Sequence, residues 1–237
     1  PVSVSKYLRT DRKLMVGAQW LTTHTGPGST NNVETCALLR TEPGVPHPDI
    51  LVQFLAAVMD HDDGLSHDLH GFSYAIGPVR VEATGWVKLN ADNPAGEPRI
   101  RSNFLTTDYD LNQMRHALRI GRELASQKAH DYLGVKEAAP GKDVNSPAEI
   151  DEYLRNNTDG DFHLCGTCKM GNDSMAVVDP QLRLHGIEGL RVVDASVMPS
   201  IVSANTNATT IMIGEKAADM IHGKPPLPKA DVSLPAA

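Results

Sequence analysis

Residues 189–223, "GLRVVDASVMPSIVSANTNATTIMIGEKAADMIHG", decide the fold. "LRVVDAS" is a short apolar run ending in polar residues, the pattern of a buried strand. "NATTIMIGEKAADMIHG" reads as a helix closed by Gly223, since glycine readily takes the left-handed conformation that ends helices. A strand, a small-residue loop and a helix in that order make half of an α/β unit.

Upstream the pattern changes. Between residues 33 and 105 the runs "VETCALLR", "DILVQFLAA", "FSYAIGPVRVEA" and "GWVKLN" are short and β-rich, separated by Pro, Gly, Asp and His clusters. In "FSYAI", Phe72, Tyr74 and Ile76 alternate onto one face, and "NADNPAGEP" is a turn that continues no strand. After residue 107, Leu111, Met114, Leu118 and Leu124 keep one stripe apolar at helical steps. "SPAEIDEYL" offers a capping box, with Ser146 as cap, Pro147 in the first turn and Glu149 reaching back. The expected fold class is α+β: an antiparallel sheet with covering helices, then the C-terminal strand and helix of an α/β domain whose N-terminal part is absent. The expected divisions are 1–160, 161–225 and a Pro/Ala-rich tail at 226–237.

At 237 residues and 41% hydrophobic content, the chain can bury a proper core. Lys+Arg of 22 against Asp+Glu of 29 leaves a net charge of −7. That balance argues against nucleic acid or an acidic membrane as the main partner, and a small organic substrate fits better. No apolar run approaches the roughly 18 residues needed to span a bilayer. Membrane contact is not indicated, and a homo-oligomer is left open. Three cysteines, Cys36, Cys165 and Cys168, cannot scaffold a chain of this length with disulfides, which favours a reducing compartment and a cytoplasmic location.

Three motifs compete for the chemistry. "GPGSTN" at 26–31 lacks the preceding strand, third glycine and following helix of a dinucleotide fingerprint, so it reads as a turn. "HDDGLSHDLH" gathers His61, His67 and His70 with Asp60, Asp62, Asp63 and Asp68, but its spacing matches no zinc or calcium loop and reads as solvated. "DFHLCGTCKMGND" places His163 beside Cys165 and Cys168. A redox Cys-x-x-Cys needs a helix at its first cysteine, whereas "KMGNDSM" is turn-forming. A zinc site would need a distant fourth ligand such as Cys36 or His185.

"HLCGTCKMG" followed by "VVDPQLRLHGIEGLRVVDASVMPSIVSANTNATTIMIGEKAADMI" resembles the C-terminal signature of the glucose-methanol-choline oxidoreductases. "GPGSTNNVETCALLRT", "GFSYAIGPVRVEATGWVKLNADNPAGEPRIRSNFL" and "IGRELASQKA" are similar to that family's substrate-binding domain, nearest its choline dehydrogenase-like members. The resemblance implies an FAD-dependent oxidation of an alcohol CH–OH group, with a small-molecule alcohol as substrate. It also implies that the chain is the C-terminal portion of a flavoenzyme whose N-terminal FAD-binding segment or chain is a necessary partner.

By the same resemblance His163 accepts the hydroxyl proton near flavin N5, and Asn205 positions the alcohol oxygen. Asp194 and Ala195, at the end of "LRVVDAS", border the cofactor, and Thr206 and Asn207 open the final helix beneath the flavin. Glu34 and Phe162 correspond to substrate-facing positions, a carboxylate and a ring suited to a cationic headgroup. No metal is implied. Two alternatives remain at this stage: a lyase of the same fold using FAD without redox turnover, and a non-enzymatic zinc or thiol module built on His163, Cys165 and Cys168.

Overall fold

A computed structural model describes residues 3–31, 33–60, 64–65, 69–228 and 230. The chain divides into two compact units, Pro1–Asp159 and Gly160–Ala237.

After a short 3-10 turn, Val4–Tyr7, the first unit forms α1 (Thr10–Thr23), a helix with no buried residue. Strands β1 (Thr35–Leu39), β2 (Ile50–Leu55), β3 (Met59–Asp60), β4 (Gly64–Leu65), β5 (Ser73–Pro78), β6 (Trp86–Lys88) and β7 (Arg99–Arg101) follow. The main sheet has the order β1-β2-β5, antiparallel throughout, with Ala37 opposite Val52 and Val52 opposite Ile76. β3 pairs with β4, and β6 pairs with β7 across "NADNPAGEP". The turn residues end one strand, and the chain resumes as its antiparallel partner.

Helix α2 (Asp108–Ala125) covers the main sheet: Ala117, Ile120 and Leu124 pack with Leu39, Ile50, Val52, Tyr74 and Ile76. Gly121 is what lets it come so close, because a Cβ there would stand 2.7 Å from Ile76 Cδ1. Thr107 caps α2 through its side chain, which accepts from the Asp110 backbone N–H. Helix α3 (Pro147–Asn157) carries the complete capping box of Ser146 and Glu149. It packs Ile150, Tyr153 and Leu154 against Leu105, Leu111 and Met114, and the bidentate Arg115–Asp151 pair at 2.6 and 2.5 Å joins it to α2.

Asp110 is 2% exposed, and its two carboxylate oxygens accept from the backbone N–H groups of Glu82 and Ala83 at 2.9 and 2.8 Å. Asp49, also buried, accepts from the backbone and hydroxyl of Thr41 and from the Gln113 amide. Burial pushes its carboxyl up, but these hydrogen bonds outweigh burial and hold it below its ordinary value of 3.8.

Among its described residues the second unit contains one long helix, α4 (Asn207–Ile221), ended by Gly223 at φ +67. Its core is Val178, Leu182, Val197, Met198, Ile213 and Ala217. Residues 190–196, expected above as a buried strand, differ from that expectation. Arg191 makes an isolated bridge to Arg183, Val193 is exposed, and the chain turns at once into a 3-10 helix, Ala195–Val197. A strand pattern becomes a strand only when neighbours complete its ladder, and among the described residues no strand lies alongside. Bridges Met170↔Val178 and Val178↔Leu184 tie the remaining turns together.

Candidate active site

The segment "DFHLCGTCKMG" is shaped by backbone geometry before any side chain acts. Phe162 has φ +57, a left-handed conformation uncommon for a bulky residue, and its side chain is 96% exposed. Gly166 turns the chain at φ +88. The segment is pinned to the 3-10 helix by Cys168 N–H donating to Ser196 O at 3.0 Å and Met170 N–H donating to Val197 O at 2.8 Å. Cys165 packs against the core of the unit, where burial pushes its thiol up and away from the reactive thiolate.

This framework leaves the His163 side chain 27% exposed and bonded on both ring nitrogens. Asn205 Nδ2 lies 2.9 Å from His163 Nε2, and Thr206 Oγ1 lies 3.0 Å from Nδ1. An amide –NH2 can only donate, so Nε2 accepts, and the ring proton then sits on Nδ1, donated to the Thr206 hydroxyl. The Nε2 lone pair then points at the Asn205 amide. Asp161, an exposed carboxylate, places Oδ2 3.9 Å from the same Nε2.

The other candidate residues are distributed as follows. Thr206 is the N-cap of α4 and Asn207 its first residue, and no side chain caps the first-turn N–H groups. Asp194 caps the 3-10 helix instead: its Oδ1 accepts from Ser196 N–H at 2.8 Å and from the Ser196 hydroxyl, and Ala195 is the first residue of that turn. Glu34 belongs to the first unit, where it is exposed and accepts from the Thr30 hydroxyl at 2.8 Å. Thus the structure brings together His163, Asn205 and Thr206, with Phe162 adjacent in sequence.

Two participants escaped sequence reasoning. Thr206 was expected at a cofactor, not on the histidine, and a threonine before a helix ordinarily signals a cap. Asp161 carried no signal beyond its position two residues before His163.

All three cysteines are free, and Cys36 is exposed. Among the described residues no three His, Cys, Asp or Glu side chains are grouped to hold a metal, so His163, Cys165 and Cys168 do not form the trio a zinc module needs. His61, Asp62, Asp63, His67 and Asp68 lie outside the described residues. "GPGSTN" contains a short 3-10 turn, Pro27–Ser29, rather than the start of a nucleotide-binding helix. No described helix is long and apolar enough to cross a membrane.

Residues 81–214 match the GMC oxidoreductase family. The chain is 43% identical to oxygen-dependent choline dehydrogenase of Klebsiella pneumoniae over 97% of its own length and 42% of that protein. It is 43% identical to mitochondrial choline dehydrogenase of Homo sapiens over 99% of its own length and 40% of that protein. The chain thus spans about two-fifths of the length of these curated relatives. Among solved structures, pyridoxine 4-oxidase from Mesorbium loti superposes with a TM-score of 0.71 at 29% identity, over 81% of this chain and 38% of that one. A formate oxidase variant from Aspergillus oryzae RIB40, studied for its FAD modification, superposes at 0.82 over 93% of this chain and 44% of that one. Its 23% identity makes this a likeness of fold.

Proposed function

Because this chain belongs to the GMC oxidoreductase family, we propose that it carries the proton-handling part of an FAD-dependent oxidation of an alcohol CH–OH group to an aldehyde or ketone. The observation that supports the reading is the pair of contacts on His163, with Nε2 facing the Asn205 amide and Nδ1 the Thr206 hydroxyl.

An alcohol at this site donates its hydroxyl hydrogen to Nε2, and the Asn205 amide moves from the ring nitrogen to the alcohol oxygen. Proton acceptance at Nε2 raises electron density on that oxygen, which weakens the adjacent C–H bond toward loss of hydride. FAD, when bound, supplies the hydride acceptor. The residues present fit it: the uncapped N-terminus of α4 offers backbone N–H groups and a positive dipole end to an electron-rich carbonyl edge. Thr206 and Asn207 would hold that edge through these groups, and Asp194 and Ala195 would border the cofactor through the backbone of their turn. The rest of the cofactor site comes from an N-terminal FAD-binding segment, in line with the greater length of the relatives.

We assign residues 1–160 to substrate binding, with Glu34 as its contact for a substrate of the choline class, and we take the exposed Phe162 ring of the other unit as a second, separate substrate contact. The relatives' printed activity supports the class, and a carboxylate and an aromatic ring are each suited to a quaternary ammonium.

The test is anaerobic addition of choline, an aromatic alcohol and a sugar to the flavin-loaded full-length protein carrying this chain. Bleaching of the flavin by one of them is the expected result. Flavin that binds and is bleached by none points to the lyase of the same fold. Failure to take up flavin in any form overturns the reading.

A further inference from the structure

Thr206 occupies the N-cap of α4, where a threonine hydroxyl ordinarily accepts from an N–H in the first helical turn. Here it makes no such bond, and its backbone is already helical at φ −76, ψ −14. The hydroxyl lies instead 3.0 Å from His163 Nδ1, on a residue only 8% exposed, where water offers little substitute. Such a diversion forgoes a cap bond to the first helical turn and gains one bond to an imidazole. We infer that Thr206 is a positioning residue that locks His163 in the Nδ1–H tautomer, so that the Nε2 lone pair is always the one presented toward Asn205.

The chemistry of neutral imidazole makes this consequential. One ring nitrogen carries the proton and the other the lone pair, and an unrestrained ring distributes between the two forms. In the Nε2–H form His163 cannot accept a proton on the side where Asn205 stands, so every molecule in that form is lost to the reaction. As placed, the Asn205 amide donates to Nε2, which leaves the ring hydrogen on Nδ1, and the Thr206 hydroxyl is the acceptor that hydrogen needs. Without that acceptor the Nδ1–H would be stranded on a part-buried ring, which costs more than stranding a lone pair. A charged group near the ring is Asp161, whose carboxylate lies 3.9 Å from Nε2. It is left unchanged in the variants below, so its influence is common to all of them.

The kinetic half of this inference rests on the proposed role of His163, while the tautomer itself stands on the geometry alone. The experiment therefore reads both. Full-length flavoprotein is labelled with 15N-histidine in the wild type and in T206S, T206A and T206V, and the His163 ring signals are identified by their absence in H163Q. The expected result is an Nδ1–H ring in the wild type and T206S, and a mixed or Nε2–H ring in T206A and T206V. The same two variants lose about 10-fold or more in kcat/KM for the alcohol, mainly through kcat, and T206S restores most of it. Either T206A or T206V suffices if the other does not fold. An Nε2–H ring in the wild type, or an unchanged tautomer in the folded T206A or T206V protein, overturns the inference. So does a T206S protein as impaired as T206V, which would make packing of the methyl group the cause. If no alcohol bleaches the wild-type flavin, the proposed function fails while the histidine spectra still decide the tautomer.

Discussion

The two compact units are held together by different means. The first satisfies its backbone largely through ladders and helices, with β1, β2 and β5 in continuous register and two capped helices packed around them. Among the described residues, the second has one long helix and three isolated bridges. Its turns are locked by aspartates that each accept from the N–H two residues on: Asp173 from Met175, Asp179 from Gln181 and Asp194 from Ser196, at 2.8 to 2.9 Å. Regular structure makes the sturdier scaffold, whereas irregular backbone can aim individual side chains, and the histidine lies in the irregular unit.

That contrast can be broken by substitution. In the flavin-loaded protein, His163→Ala should cut alcohol-dependent flavin reduction by about 10²- to 10⁴-fold, the usual span for losing a general base, with the thermal midpoint little changed. Ile50→Ala, at a fully buried position of β2, should do the reverse: about 3 kcal/mol of stability lost in a denaturant titration, with activity per folded molecule retained. Asp110→Ala should cost about 2 kcal/mol by the same measurement, because it strands the two backbone N–H groups that the buried carboxylate serves. An active-site collapse caused by Ile50→Ala at temperatures where the protein stays folded would erase the distinction.

Asp49 sharpens it through pH. Its folded carboxyl is held below the ordinary 3.8, so its contribution is fully present above that value and is lost as pH falls through the depressed folded value. The stability difference between wild type and Asp49→Asn should therefore be flat at neutral pH and shrink below about pH 4, followed by urea titrations across that range. The smallest effect belongs to Cys168→Ser, expected to shift stability by no more than about 0.5 kcal/mol and to leave flavin reduction intact, as the thiol is free and belongs to no metal-holding group among the described residues.

The regular unit was the more legible in sequence. β1, β2, β5 and β6 fall inside the quoted apolar runs, and the capping box at Ser146 and Glu149 forms as spelled. Those patterns succeed because alternation and capping are local, so a few neighbouring residues contain the information. Helix α1 was not anticipated: Leu14, Met15 and Leu21 are exposed, and without a buried stripe there is no periodic signal to find. Residues 190–196 misled for the opposite reason, since β-prone composition describes a strand's capacity but not whether a neighbour completes it. At the site, His163 and Asn205 stood out only through a long ordered resemblance. The Thr206 contact was hidden because a hydroxyl before a helix has two uses and sequence distinguishes neither.

The bridges of the second unit also set an order of events. Met170↔Val178, Val178↔Leu184 and Arg183↔Arg191 each close a loop of fewer than ten residues, a closure that takes on the order of 10–100 ns. The bond from His163 to Thr206 spans 43 residues and must wait until α4 has returned to the core. The His163 ring therefore acquires its orientation late in folding, and a transient undocking of one helix end would release it while the nested turns around it stayed closed.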